Sequence, residues 1–310
     1  MQAKVIHAVI GTNAWGTKTY GKTPKGKVKV IQTISEMMEE AVKRNYLIID
    51  TSQRFGLGRT NHIVPKVISD SVMISSHFIP LTKGGDEDDD LQQSLYEDLG
   101  DFKRDKIAIY WLRQSSNLTG YMNDMIILYR QGLIRYIGVA NMKLEDVKKA
   151  KAILDAEDIP LFGVMHQYSV MTKDEEVKQT VAWCHENNIQ FFAWGTLENG
   201  LLTGKTKGIN KLEAKAYLPM IQTLRMIGRD YDLTPAQVAM AYINCHGMVP
   251  VVGIWNMEEL IELDDAMKVD LKAEDMALID KMASYINIVS LSNGLITLAN
   301  RSVKKVIRNI

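Results

Sequence analysis

A chain of 310 residues with 37 basic and 37 acidic side chains carries no formal net charge, and 46% of it is hydrophobic. The balance argues against a protein built to hold nucleic acid or an anionic membrane surface, since both need a basic excess. No apolar run approaches the roughly 20 residues of a membrane span, the N-terminus lacks a signal-peptide pattern, and two cysteines make no disulfide framework, so the expected setting is the cytoplasm.

Short apolar runs alternate with helix-period stretches, the pattern of a parallel sheet with crossover helices. The first strand is read at 5–10 and its helix at 33–44. Strand 47–50 leads to helix 60–70, strand 72–75 to helix 91–99, and strand 107–112 to helix 121–130. Strand 134–139 pairs with helix 144–154 and strand 162–166 with helix 174–187. Strand 190–194 pairs with helix 235–245, and strand 248–253 with helix 257–267. Thr234 and Pro235 read as an N-cap and a first-turn proline. Residues 272–283 form a ninth helix, and 285–310 a mixed tail with a basic end. The run Gly84–Asp90 reads as a solvated acidic loop that helps start the next helix. The spacing and closing glutamate of a calcium loop are absent from it.

Eight strand–helix pairs without a linker or repeat predict an α/β fold, a closed (β/α)8 TIM barrel with an additional C-terminal helical segment. Residues 1–310 form one domain in this reading, with 285–310 as its tail. An open doubly wound sheet is the alternative, but the Gly-x-Gly-x-x-Gly turn after the first strand is missing. A barrel places its chemistry at the C-terminal ends of its strands. Those ends carry Asp50, His77, Arg113, Asn141, His166, Trp194 and Trp255. Trp15 is also assigned to the mouth, whereas Trp111 and Trp183 are assigned to packing. Cys184 and Cys245 fall on helices as packing thiols, and the 17 methionines read as core filler. No ligand spacing among Asp50, His77 and His166 marks a metal site.

Several stretches, in shared order, carry a resemblance. Leu47-Ile-Ile-Asp-Thr-Ser-Gln-Arg-Phe-Gly56 resembles the Asp-Thr-Ala-x-x-Tyr-Gly signature of aldo-keto reductases. Gly132-Leu-Ile-Arg-Tyr-Ile-Gly-Val-Ala-Asn141 resembles that family's Gly-Lys-Ile-Arg-Tyr-Ile-Gly-Val-Ser-Asn. Trp194-Gly-Thr-Leu-Glu-Asn-Gly-Leu-Leu-Thr-Gly-Lys205 is similar to Tyr-Ser-Pro-Leu-x-x-Gly-Leu-Leu-Thr-Gly-Lys, and Thr234-Pro-Ala-Gln-Val-Ala239 to its Ser/Thr-Pro-Ala-Gln-Val-Ala.

The resemblance implies a reductase site in which a tyrosine donates the proton, a lysine and an aspartate tune it, and a histidine orients the carbonyl. Asp50 is retained. Phe55 stands at the tyrosine position, His77 at the lysine and Arg113 at the histidine. It also implies a dinucleotide site, retained in Asn141, Trp194, Leu197, Gly204, Gly253 and Glu262. Ala140, Met165, Trp255, Glu259 and Leu263 depart from its polar contacts. A glutamate at Glu259, where the family grips a 2′-phosphate, favours NADH over NADPH, and binding of neither remains open.

Three functions compete. The barrel is repurposed to bind a small anionic metabolite and to act on it by redox-neutral acid/base chemistry, with Asp50 and His77 transferring protons and Arg113 clamping the anion. In the second, an NAD(H)-dependent oxidoreductase uses His77 and Arg113 on a 2-oxo acid. In the third, a regulatory or scaffold protein offers its acidic loop and the basic stretch Arg301–Arg308 to partners. The structural alternatives are an Arg113–Asp50 salt bridge and a neutral His77 hydrogen-bonded to Asp50. The oligomeric state is not legible.

Overall fold

The computed structural model describes residues 6–19, 22–80, 90–171, 174–204 and 211–286. The acidic run from Gly84 to Asp89, Lys205 and the basic stretch Arg301–Arg308 lie outside these residues. Eight parallel strands close on themselves in chain order. They are β1 (Val9–Gly11), β2 (Ile48–Asp50), β3 (Met73–Phe78), β4 (Ile107–Arg113), β5 (Ile134–Ala140), β6 (Leu161–Gln167), β7 (Gln190–Trp194) and β8 (Val249–Gly253). β1 returns to pair with β8 through Val9↔Val251 and Gly11↔Gly253, which removes any free edge. The expected barrel is the observed one.

The helices are α1 (Asn13–Thr19), α2 (Pro24–Lys43), α3 (Val64–Val67), α4 (Leu91–Phe102), α5 (Leu118–Arg130), α6 (Leu144–Asp155), α7 (Glu175–Glu186), α8 (Lys211–Gly228), α9 (Pro235–Cys245) and α10 (Met257–Ala266). A last helix, α11, covers 273–286. Among the described residues no helix is long and apolar enough to cross a membrane.

Local chemistry explains where these elements depart from the sequence reading. α2 begins at Pro24 and not at 33, because the Thr23 side chain accepts the Gly26 N–H at 3.2 Å and proline fits the first turn. The helix expected at 60–70 is instead two 3-10 turns, Phe55–Gly58 and Thr60–His62, followed by the single turn of α3. Ile68, extended at φ −112° and ψ 144°, ends α3 after one turn, and the preceding turn takes positive φ at Gly56, Leu57 and Gly58. Two helices escaped the sequence reading. α1 carries Gly16, Thr17 and Thr19, poor helix formers; α8 has Pro219 inside it.

Two apolar layers hold the barrel. Its interior contains Ile48, Ile109, Trp111, Met165 and Phe192, while a larger layer packs the outer strand faces on the helices. Trp111 fills the interior because Gly138, its register partner on β5, has no side chain. A Cβ there would lie 2.3 Å from the indole ring. Phe192 meets the same ring edge-on at a centroid distance of 5.1 Å. Truncating an aromatic in such a place costs on the order of 3–5 kcal/mol.

Alternation along β3 sends Ser75 and His77 inward and Ser76 outward to α4. There Ser76 Oγ donates to Asp98 Oδ2 at 2.6 Å. Asp98 is fully buried and its other oxygen has no partner among the described residues. Burial pushes its carboxyl up to about 7, against the opposing pull of the Ser76 hydroxyl.

A carboxyl whose folded pKa exceeds its unfolded value keeps a proton that the unfolded chain releases. Asp98 therefore subtracts stability as pH climbs from about 4 to about 7, and the full loss is in place above 7. Replacing it as Asp98→Asn removes this dependence. Thermal melts from pH 4 to 9 should show wild type losing ground to the variant by on the order of a few kcal/mol across that window. Parallel pH curves for the two proteins would contradict it.

Candidate active site

The C-terminal strand ends open into a cleft of about 590 Å³. Asp50, His77, Arg113, Asn141 and Trp194 all line it, as the sequence reading expected, together with Phe55, Trp255, Leu197, Gly253 and Glu262. The other assignments fare differently. Gly204 does not line the cleft; it caps a 3-10 helix (Glu198–Thr203) in the left-handed region. His166 does not line it either. Met165 is the inward residue at that level of β6, so alternation turns His166 outward, where burial lowers its pKa. Trp15 lies in α1, which lines the mouth through Asn13, Ala14, Thr17 and Lys18, but its own ring is fully buried, and its Nε1 donates to the Ile254 carbonyl at 2.8 Å. Cys184 is buried on α7 and burial pushes its thiol up to about 12, while Cys245 is half-buried on α9.

At the cleft floor Asp50 is held by both its backbone and its side chain. Thr12 N–H and Thr12 Oγ1 both donate to the Asp50 carbonyl at 3.0 Å. Asp50 is only 4% exposed, and its carboxylate receives two donors on one oxygen. Ser75 Oγ donates to Oδ1 at 2.8 Å, and His77 Nε2 reaches the same atom at 2.8 Å. A carboxylate is acceptor-only, so Nε2 carries the hydrogen. His77 Nδ1 is buried and has no partner among the described residues. Trp111, read from sequence as packing, also makes a polar contact, with its Nε1 donating to Ser75 Oγ at 2.6 Å.

Phe55 reaches the cleft from the turn after β2. Its N–H donates to the Ser52 carbonyl at 2.9 Å, and the next N–H, of Gly56, donates to Asn13 Oδ1 at 3.0 Å. Gly56 lies so close to Gly16 of α1 that a Cβ on it would come within 2.6 Å of the Gly16 Cα. This contact docks the turn and sets the Phe55 ring 6.0 Å from the His77 ring. Phe55 has no hydroxyl, and no tyrosine lines the cleft among the described residues.

Arg113 ends β4, half-buried in the cleft wall. The Arg113–Asp50 salt bridge, one of the structural alternatives, is not formed, and the hydrogen bonds of that carboxylate go to His77 and Ser75. No hydrogen-bond or ion-pair partner is seen for the guanidinium among the described residues. Burial lowers its pKa, the field of Asp50 raises it, and nearby Arg54 lowers it further.

Beyond Arg113 the cleft runs past Trp194 toward the start of α10. Trp194 Nε1 donates to Asn141 Oδ1 at 2.8 Å, and Asn141 itself sits at φ 52°, a conformation that asparagine tolerates. Ala140 and Met165 make the adjoining wall apolar. At the far end Lys18 Nζ stands 4.6 Å from the Trp255 ring centre. The Trp255 N–H donates to Glu259 Oε2 at 3.0 Å, and Asn256 Oδ1 accepts the Glu259 N–H at 3.0 Å. Sequence reading missed Lys18 because it missed α1. The Lys-rich stretch that follows gave no signal that one lysine crosses the rim.

The model of the aldo/keto reductase family matches residues 8–284. Pyridoxal reductase of Arabidopsis thaliana chloroplasts is 24% identical over 277 residues, covering 79% of this chain and 74% of that protein. The glycerol dehydrogenase of Gluconobacter oxydans superposes with a TM-score of 0.76 at 16% identity, covering 92% of this chain and 93% of its own. An aldo-keto reductase of Klebsiella pneumoniae solved with NADPH gives 0.72 at 18%, covering 89% and 90%. A closed barrel, a mouth cleft at its strand ends and a family match across most of the chain agree, and the protein belongs to the aldo/keto reductase family.

Proposed function

We propose that the cleft binds a small anionic metabolite through Arg113 and acts on it by redox-neutral proton transfer, with Asp50 and His77 as the working pair. The observation that carries this reading is the Arg113 guanidinium, half-buried and without a partner among the described residues. Removing a cation from water without a counter-ion is costly, and a carboxylate or phosphate arriving in the cleft supplies one in a fork that matches the guanidinium. Carbonyl reduction by a phenolic acid does not suit the same cleft: Phe55 has no proton to give, and Asp50 is bound to an imidazole.

A second reading is favoured by one observation, the continuation of the cleft from Trp194 to α10. There Asn141, Trp194, Leu197, Thr203, Gly253 and Glu262 would hold a dinucleotide. The Klebsiella neighbour was solved with NADPH. The residues fit a nicotinamide face at Trp194 but offer its amide little beyond Asn141, since Ala140 and Met165 are apolar. They do not fit a 2′-phosphate. Glu258 and Glu259 occupy the first turn of α10, and the Glu259 carboxylate already takes the Trp255 N–H. A bound nicotinamide would supply hydride, and Arg113 with His77 would orient a 2-oxo acid. This reading therefore selects NADH over NADPH.

Two measurements separate the readings. Calorimetric titration with a panel of mono- and dicarboxylates should find a ligand for which Arg113→Ala loses roughly 10- to 100-fold in affinity. Arg113→Lys should recover part of that loss, because a point charge replaces the fork. Equal affinity in all three proteins would remove the anion clamp. Separately, NADH and NADPH titrations followed by tryptophan fluorescence read the Trp194 face. Quenching at micromolar NADH with much weaker NADPH supports the second reading; no quenching by either at millimolar concentration rejects it.

A further inference from the structure

We infer that the proton-accepting atom of the cleft is Asp50 Oδ2, and that His77, Ser75 and Trp111 are positioning residues that hold the carboxylate by its other oxygen. This rests on the anion-binding reading above and divides the work of its pair: Asp50 carries the proton and His77 holds Asp50 in place.

A run of hydrogen bonds leads from the barrel interior to the carboxylate. Trp111 Nε1 donates to Ser75 Oγ at 2.6 Å, and Ser75 Oγ donates to Asp50 Oδ1 at 2.8 Å. The imidazole of His77 supplies the second donor to that same oxygen, also at 2.8 Å. Two donors engage Oδ1, while no donor among the described residues reaches Oδ2, and Asp50 lines the cleft. A histidine serving as the proton carrier would need a ring nitrogen facing the ligand. Here Nε2 is committed to Asp50 and Nδ1 is shut from solvent. The imidazole lies between Phe55, with ring centres 6.0 Å apart, and Trp111, at 6.2 Å with 24° between planes, so its orientation is fixed by packing.

The chain is anchored deep in the fold. Trp111 is fully buried and keeps its place because Gly138 leaves the space for its ring. Ser75 is paired in register with Asp50 across β2 and β3, so the hydroxyl and the carboxylate sit side by side on the inner barrel face. A base held by one oxygen with the other open is pre-oriented, and it loses no freedom when it takes the proton.

The step balances without a redox partner. Arg113 holds the carboxylate of a 2-oxo acid, and Asp50 Oδ2 takes a proton from C3. The C–H electron pair moves into the C2–C3 bond and the carbonyl pair onto oxygen, giving an enolate whose charge the Arg113 cation stabilises. The proton on Asp50 exchanges with solvent at the cleft, and return of the exchanged proton to C3 restores the acid, so in heavy water the C3 protons are replaced by deuterium.

Two experiments test the assignment on the full chain. In the first, without any ligand, proton–nitrogen spectra record the His77 imidazole and the Trp111 indole. Ser75→Ala should move both the Trp111 Nε1–H and the His77 Nε2–H resonances, and Ser75→Thr, which keeps the hydroxyl, should restore them. A His77 resonance unmoved in Ser75→Ala overturns the positioning chain, whatever the Arg113 titrations give. In the second, proton NMR follows 2-oxobutyrate in heavy water. Wild type should exchange its C3 protons, Asp50→Asn should abolish the exchange, and Ser75→Ala and His77→Gln should slow it several-fold. Wild-type protein that leaves those protons in place, or Asp50→Asn that exchanges them at the wild-type rate, overturns Asp50 as the base.

Discussion

Asp50 is only 4% exposed, so its carboxylate must be given donors, and the mouth of this barrel is arranged around that requirement. An unsatisfied buried acceptor costs roughly 1–3 kcal/mol, more when it is charged. Ser75 and His77 meet the need through Oδ1. The nearby guanidinium of Arg113 takes no acid as a partner among the described residues. The pairing of one acid thus decides which cation faces the ligand, and a packing necessity at the cleft floor becomes a chemical property of the cleft wall.

The same necessity ties the site to the core. Ser75 could not serve Asp50 in a fixed direction without a donor of its own, and that donor comes from Trp111 inside the barrel. Trp111 in turn needs the space left by Gly138 and the edge contact with Phe192. On the outer face of β3, Ser76 meets the buried Asp98. Successive residues of one strand therefore serve the cleft and the helix layer, and strand alternation keeps the two networks apart.

Electrostatics at the far end of the cleft follow a different logic. The N–H groups at the start of a helix attract anions. In α10 that role is taken by Glu259 of the helix itself, with Asn256 capping the next position. One first-turn N–H and the N–H just before the helix are thereby used, leaving an acidic and aromatic rim bridged by Lys18 over Trp255. A cleft with a cation in its wall that has no partner among the described residues, and acids at its rim, distinguishes the two ends of any ligand that spans it.

The order of strands, the closed barrel and the positions of Asp50, His77 and Arg113 at strand ends were legible because continuous apolar runs and their polar termini are local patterns. Phe55 was placed by its neighbours Asp50 and Gly56 in the same short stretch. What the chain order concealed was direction and distance. Whether Met165 or His166 faces inward depends on a register set by neighbouring strands. Trp15 and Trp194 look alike in sequence, yet one is buried behind the mouth and the other lines the cleft. That Asp50 pairs with His77 rather than Arg113 was decided only when residues 27 positions apart met at 2.8 Å. Local composition determines which elements form, whereas a hydrogen bond between side chains of different strands exists only after the barrel closes, so the partners in the site belong to the tertiary structure.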